Sequence, residues 1–255
     1  MSYMSDKHVY RQADGSWNNP TIPWLGAAHQ PYARSVPPMV MPKANLPDEG
    51  LVFDTVMARE EYRPHPNGVS SFFFNWASLV IHDLFQTSHE DANISNTSSY
   101  LDLSILYGDD QEDQNGMRTF KDGKIKPDCW SEDRLLVFPP ASGVCLIMLN
   151  RYHNYVVEQL AIINEAGRFA MPREGLPEEK RVAAMAKRDN DLFNVGRLVT
   201  CGLYINIVLG DYLRTIVGLN NTDSTWALDP RAKMGPGGAT SGTGNTVSLI
   251  ERPFP

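Results

Sequence analysis

Phe72-Phe73-Phe74-Asn75-Trp76-Ala77-Ser78-Leu79-Val80-Ile81-His82-Asp83-Leu84-Phe85 is the stretch from which the fold reads. Ser70 or Ser71 is a natural N-cap, and the run predicts a helix to about Thr87. Its apolar residues fall on every side, so the helix is expected to be buried all round. It carries His82 and Asp83 side by side into a dry interior. A polar loop over residues 88–99 follows, and then Ser98-Ser99-Tyr100-Leu101-Asp102-Leu103-Ser104, in which oxygen-bearing residues alternate with others, before Leu106-Tyr107-Gly108.

Two further helices are predicted. One runs from Gly143 to about Glu165, started by Ser142 and stopped by Gly167, with Val144, Ile147, Met148, Tyr152, Tyr155, Val156, Leu160 and Ile163 at helical spacing. The other starts at Pro177-Glu178-Glu179, where proline and two carboxylates favour a helix N-terminus. It extends to Leu209, with a break at Gly210-Asp211 before 212–217. Leu51–Glu61 suits a short helix, and 109–131 reads as a charged surface excursion with at most a small hairpin. Seven prolines in residues 1–50 predict an extended arm lying on the body at 51–245. The Gly/Ser-rich run 234–245 reads as flexible low complexity and lacks the Gly-Lys-Ser/Thr ending of a phosphate loop. The fold class is all-α.

With 255 residues, 42% hydrophobic and 21% charged, the chain can bury a sizeable core. A net charge of −7 without a basic stripe argues against nucleic acid as a partner. Three scattered cysteines, Cys129, Cys145 and Cys201, suggest neither a disulfide framework nor a zinc site. The polar N-terminus has no signal-peptide core, and no apolar run approaches the ~18 residues of a membrane span. The expected location is cytoplasmic, or peripheral to lipid bodies and membranes, and not secreted. The Asn-x-Ser/Thr triplets at Asn93, Asn96 and Asn220 are then accidental.

His82 has two readings: a core histidine bonded to backbone carbonyls, or an imidazole lining a cofactor pocket. Asp83 and Asp102 are costly among apolar neighbours unless neutralised. With the hydroxyls of Ser98 and Ser104 and an intervening carbonyl they could cage Ca²⁺, which takes roughly 6–8 oxygen ligands. Alternatively, Asp102 caps a turn and Asp83 pairs with an arginine. His153 reads as a packing or hydrogen-bonding residue, and His8, His29, His65 and His89 as surface residues. No cysteine has an arranged histidine partner for nucleophilic catalysis.

His82-Asp83-Leu84-Phe85 and Thr97 through Gly108 resemble the distal-histidine and calcium-loop motifs of the animal-type haem peroxidase superfamily. Further blocks extend the likeness: Ala13-Asp14-Gly15-Ser16-Trp17-Asn18-Asn19-Pro20, Arg118-Thr119-Phe120-Lys121-Asp122-Gly123, Asn150-Arg151-Tyr152-His153-Asn154 and Gly202-Leu203-Tyr204-Ile205-Asn206. Together they are similar to the dioxygenase domain of fungal linoleate diol synthases, the psi-factor-producing fatty-acid oxygenases. The resemblance implies a mostly helical haem-binding fold that turns unsaturated C18 fatty acids such as linoleate and O₂ into hydroperoxides, through a tyrosyl radical.

On this resemblance His82 is the distal haem histidine. Asp83, Ser98, Tyr100 through its carbonyl, Asp102 and Ser104 are the calcium ligands. Two positions depart from the family pattern: Ser78 stands where the peroxidases have glutamine, and Ile105 where a proline is usual. The family's later Tyr-Arg-Trp-His helix, which carries the radical tyrosine and proximal haem ligand, has no counterpart here, and 246–255 reads as a divergent tail. The expectation is therefore a truncated domain, impaired or inactive alone. The alternative is a non-catalytic Ca²⁺-binding or regulatory fragment pairing with a full-length relative; self-association stays open.

Overall fold

The computed structural model describes residues 9–33 and 46–221, together with one short strand pair beyond them. Its helices are α1 (Glu49–Val52, continued as a π turn over Phe53–Met57), α2 (Ser71–Leu84), α3 (Ser104–Tyr107), α4 (Gln111–Met117), α5 (Pro140–Ile163), α6 (Glu178–Ile207) and α7 (Arg214–Ile216). A π turn over Val208–Leu213 joins the last two. The strands are two-residue pairs: β1 (Gln30–Pro31) antiparallel to β2 (Ile94–Ser95), and β3 (Lys233–Met234) antiparallel to β4 (Ala239–Thr240). The helical class expected from the sequence is borne out.

The core forms where α5 packs along α6 and α2 crosses α5. Leu79, Leu103, Leu106, Leu146, Phe193 and Tyr204 are sealed within it. Ser70 caps α2 as expected, its hydroxyl accepting from the Phe72 N–H at 3.2 Å. The helix ends at Leu84 rather than Thr87, and it is not buried all round. Trp76, Leu79, Val80 and Asp83 face the core, while Phe72, Phe74, Ile81 and Phe85 face out.

Pro140 opens α5 at its first turn, where a missing N–H costs nothing. Its stop is Asn164 in the left-handed conformation (φ 42°), three residues before the expected Gly167. The break after α6 falls where Gly210-Asp211 predicted it. One correction concerns hydropathy: within Glu178–Ile216 an 18-residue window of mean hydropathy 1.5 is, by length and composition, able to cross a membrane. Half of that window is buried inside the fold, as a core helix requires.

The segment 109–131 lies largely at the surface, as expected, but it is anchored in the core by Gln114, Met117, Arg118, Gly123 and Ile125. It contains α4, and its following turn is closed by an Arg118–Ile125 bridge, the small hairpin allowed for above. Ile125 and Met117 are buried. Two asparagines on α5 pin this turn: Asn150 donates to the carbonyls of Lys126 (2.8 Å) and Cys129 (2.9 Å), and Asn154 pairs with both backbone groups of Ile125. The helix face supplies the turn's backbone bonds, which lets Ile125 enter the core from an otherwise exposed polar loop.

The described part of the N-terminal arm is not extended outside β1: it runs through successive turns, closed by bonds such as the Gly15 N–H to the Gln12 carbonyl (3.2 Å) and the Ala27 N–H to the Trp24 carbonyl (3.1 Å), and it is packed in. Ala13, Ala27 and Ala28 are buried, and β1 anchors the arm to β2 within the loop expected at 88–99. Gly15 has φ +80°, and a Cβ there would lie 2.6 Å from the Ser98 Cβ. The arm therefore braces the oxygen-rich loop directly. The flexible run expected at 235–245, apart from the paired Ala239–Thr240, and the tail at 246–255 lie outside the described residues.

Candidate functional site

The oxygen-bearing residues singled out by spacing converge. Asp83 is fully buried; one of its carboxylate oxygens accepts from the Leu103 N–H (3.2 Å) and the other from the Ser104 hydroxyl (3.1 Å). Asp102 accepts from the Ser98 hydroxyl (2.9 Å) and the Ser104 N–H (3.2 Å). Ser104 thus touches both carboxylates. The Tyr100 carbonyl is 3.5 Å from the Ser98 hydroxyl, completing the group. Leu103, between Asp102 and Ser104, is held left-handed (φ 59°), a conformation that costs a branched residue roughly 1–3 kcal/mol and persists only where neighbours fix it.

Electrostatics oppose two bare carboxylates here. Burial first, and then the charge of Asp102, push Asp83 well above the ordinary carboxylate range. The guanidinium of Arg11 approaches Asp102 at 3.6 Å, a partial answer to the charge. Both halves of the alternative sequence reading thus meet the structure: Asp102 does accept a turn N–H, but the arginine sits with Asp102, not Asp83. Five oxygen donors from two buried acids, two hydroxyls and one carbonyl fit a hard cation such as Ca²⁺. Among the described residues no three His, Cys, Asp or Glu side chains converge as a metal site, so such a cation would depend on hydroxyls and backbone.

Sequence reasoning missed Asp109. Its carboxylate lies near Thr97 and Ser104, one oxygen is buried without a partner, and burial pushes it up to about 6. The signal was present in Asp109-Asp110, but the charged surroundings disguised it as surface.

His82 lies one residue before Asp83 and on the other side of α2. Its Nδ1 donates to the Ser78 carbonyl at 2.7 Å, since a carbonyl can only accept, and the neutral ring then carries its lone pair on Nε2. The ring stands edge-on to Phe138, centroids 4.7 Å apart. Phe74, Ile81 and Phe85 make the surface around it apolar and open. That surface, with an imidazole at its centre and Nε2 without a partner among the described residues, fits the face of a flat apolar macrocycle such as haem. Arg134 holds the end of α2 by donating to the carbonyls of Phe85 (3.0 Å) and His82 (3.4 Å), another contact invisible in the sequence.

Among the described residues, His153 is the only histidine to join the core, and it has no nitrogen free to ligate. His153 is buried with both nitrogens engaged, by the Tyr107 hydroxyl (2.9 Å) and the Gly123 carbonyl (2.9 Å), bearing out its reading as a hydrogen-bonding core residue. His29, His65 and His89 are exposed, as expected, and His8 lies outside the described residues. Cys145 and Cys201 are free thiols pushed up to about 11 by burial, which leaves no thiolate at neutral pH.

A cavity of about 720 Å³ lies between the N-terminal half of α2, α5 and the end of α6. Phe72, Phe73, Trp76, Met148, Leu149 and Ile207 line it, an apolar wall suited to a hydrocarbon. Phe73 precedes His82 by nine residues, or about 13 Å along the helix axis.

The animal haem peroxidase family matches residues 10–96. The linoleate 10R-lipoxygenase of Aspergillus fumigatus is 62% identical, over 98% of this chain and 22% of its own length. Psi-producing oxygenase A of Emericella nidulans is 56% identical over 97% of this chain, and the linoleate diol synthase of Gaeumannomyces graminis 53% over 96%. The chain spans about a fifth of the length of these relatives, 20 to 23%. Among solved structures, the fatty acid alpha-dioxygenase of Arabidopsis thaliana superposes with a TM-score of 0.58 at 19% identity, covering 80% of this chain and 37% of that one. Peroxidase A of Dictyostelium discoideum gives 0.60 at 14% identity, covering 80% and 53%. These two likenesses concern the fold. With identities above 50% along nearly all of its residues, the chain is similar to one segment of the fungal linoleate diol synthases and psi-producing oxygenases, and its residues 10–96 match the animal haem peroxidase family.

Proposed function

We propose that this chain forms the distal wall of a haem-dependent dioxygenase that adds O₂ to an unsaturated C18 fatty acid such as linoleate, giving a hydroperoxide. The observation that carries the reading is the presentation of His82 at the centre of the open apolar face of α2, back to back with the buried Asp83 cluster. Haem, when bound against this face, supplies the oxidising chemistry. His82 holds or moves a proton at Nε2, its orientation set by the Ser78 carbonyl. Ser78 spends its own hydroxyl on the Phe74 carbonyl (3.0 Å), so no side-chain amide assists His82 from that turn. Phe74, Ile81 and Phe85 exclude water, and the cavity beside Phe73 takes the acyl chain.

Ca²⁺ held by Asp83, Ser98, the Tyr100 carbonyl, Asp102 and Ser104 neutralises the buried acids and locks α2 to the loop that follows it. The substrate class favours a location at the cytoplasmic surface of membranes or lipid bodies. Because no described histidine besides His82 offers a free nitrogen toward that face, we propose that the 255-residue chain alone turns over poorly. The same observation favours a second reading, a Ca²⁺-binding fragment that pairs with a full-length relative.

The test is a hemin titration of the Ca²⁺-loaded chain, following the Soret band, with linoleate-dependent O₂ uptake measured in parallel. A saturable Soret change that is lost in His82→Ala, with little O₂ uptake, is expected. A Ca²⁺-dependent thermal shift without any hemin response supports the second reading. Equal hemin binding by the wild type and His82→Ala overturns the role given to His82.

A further inference from the structure

Asp109 and Asp110 are adjacent in sequence and serve different neighbours. Asp110 is exposed and caps α4, its carboxylate accepting from the Glu112 and Asp113 N–H groups. Asp109 serves the oxygen cluster instead: its carboxylate lies near Thr97 and Ser104, and its Oδ1 is buried without a partner. The turn that delivers it needs Gly108, which has φ +105° and where a Cβ would lie 2.4 Å from that of Asp113. The Gly108 N–H, bonded to the Ser104 carbonyl at 2.7 Å, ties this turn to the cluster.

The hydroxyls beside Asp109 form a chain. Thr97 Oγ1 and Ser104 Oγ are 3.0 Å apart, and Ser104 donates to the Asp83 carboxylate at 3.1 Å. Thr97 is 1% and Ser104 4% exposed, so water is not their partner. A hydroxyl carries a single hydrogen, and Ser104 spends it on Asp83. For Ser104 and Asp83 to hold one cation between them, a lone pair of Ser104 Oγ must face the ion and its hydrogen must leave Asp83. The acceptors that remain beside it are Thr97 and Asp109, and Thr97 can pass its own hydrogen on to Asp109. Negative charge is in surplus: among the described residues, the ion pair that reaches these three acids is that of Arg11 with Asp102, at 3.6 Å.

We propose, resting on the cation reading of the oxygen cluster, that Asp109 is a positioning residue for that cation. It makes no bond to the ion. It accepts the hydrogens of Ser104 and Thr97, aims the Ser104 lone pair inward, and adds a third negative charge behind the ligands. Outer-shell acceptors of this kind change metal affinity by about 10–100-fold.

The test is isothermal titration of the metal-stripped full chain with Ca²⁺, comparing wild type, Asp109→Asn, Ser104→Ala and the double variant. Asp109→Asn should weaken Ca²⁺ about 10–100-fold at an unchanged stoichiometry. In the Ser104→Ala background the same change should cost less than about threefold, because its effect runs through the Ser104 hydroxyl. Without Ca²⁺, the thermal midpoint of Asp109→Asn should equal or exceed that of the wild type, since the carboxylate removed has an oxygen buried without a partner. Equal Ca²⁺ affinity in Asp109→Asn, a loss that persists in full in the Ser104→Ala background, or a collapse of the metal-free fold overturns the role given to Asp109 alone. No Ca²⁺ binding by the wild type overturns the cation reading together with it.

Discussion

Acidification should weaken this fold through His153, and a substitution isolates the effect. Burial, ahead of the nearby Arg197 and Arg118 charges, pushes the imidazole down from 6.5 to about 4. The neutral ring is fully matched: Nε2–H donates to the Gly123 carbonyl and Nδ1 accepts from the Tyr107 hydroxyl. Because the folded value lies below the unfolded one, this stability is complete above 6.5 and is lost as the pH falls toward about 4. That interval, at 1.36 kcal/mol for each pH unit, makes the loss about 3 kcal/mol. Asp109, raised to about 6, works in the opposite sense, stabilising at low pH and losing its contribution as the pH rises through 6. Asp83, also raised, does the same. Wild-type urea curves alone would therefore mix the two. Comparing wild type with His153→Gln at pH 7.5 and 4.5 cancels the carboxylates, and the wild type should lose about 2–3 kcal/mol more than the variant. Equal losses in both proteins would refute the assignment of a neutral, depressed His153.

Gly123 (φ +71°) leaves no room for a side chain, since a Cβ would lie 2.5 Å from the Leu192 Cβ and 2.6 Å from the Phe193 N. Gly123→Ala should cost roughly 2–4 kcal/mol in urea unfolding, from left-handed strain and overpacking together. Arg118 is buried against Asp189, which also accepts from the Gly123 N–H at 2.6 Å. Arg118→Met leaves that carboxylate uncompensated and should cost about 3–5 kcal/mol, read by the same unfolding assay.

Legibility followed the physics of each segment. The Ser70 cap and the long helices α5 and α6 were readable because local periodicity and caps decide them. The oxygen cluster was readable because its members come from two short stretches. The open face of α2 was not, since composition cannot say which side of an apolar helix a neighbour covers. The anchoring of the 118–131 turn through Ile125 escaped for a related reason: Asn150 and Asn154, about 25 residues further on, satisfy its backbone. Asp109 looked like one charge among many until Thr97 and Ser104 were placed beside it. The convergence of Arg11 on Asp102 spans 91 positions in sequence, and no local pattern announces it.

The account turns on one cation holding Asp83 and Asp102 together behind His82. Isothermal titration of the metal-stripped chain with Ca²⁺ measures this directly, with Asp83→Asn, an isosteric and uncharged replacement, as the comparison. One Ca²⁺ per chain is predicted, with release of protons from the raised Asp83, and affinity in the variant should fall by more than about a hundredfold, beyond the ~10–100-fold effect of an outer-shell change. No Ca²⁺ binding by the wild type, or the same affinity in Asp83→Asn, would contradict it.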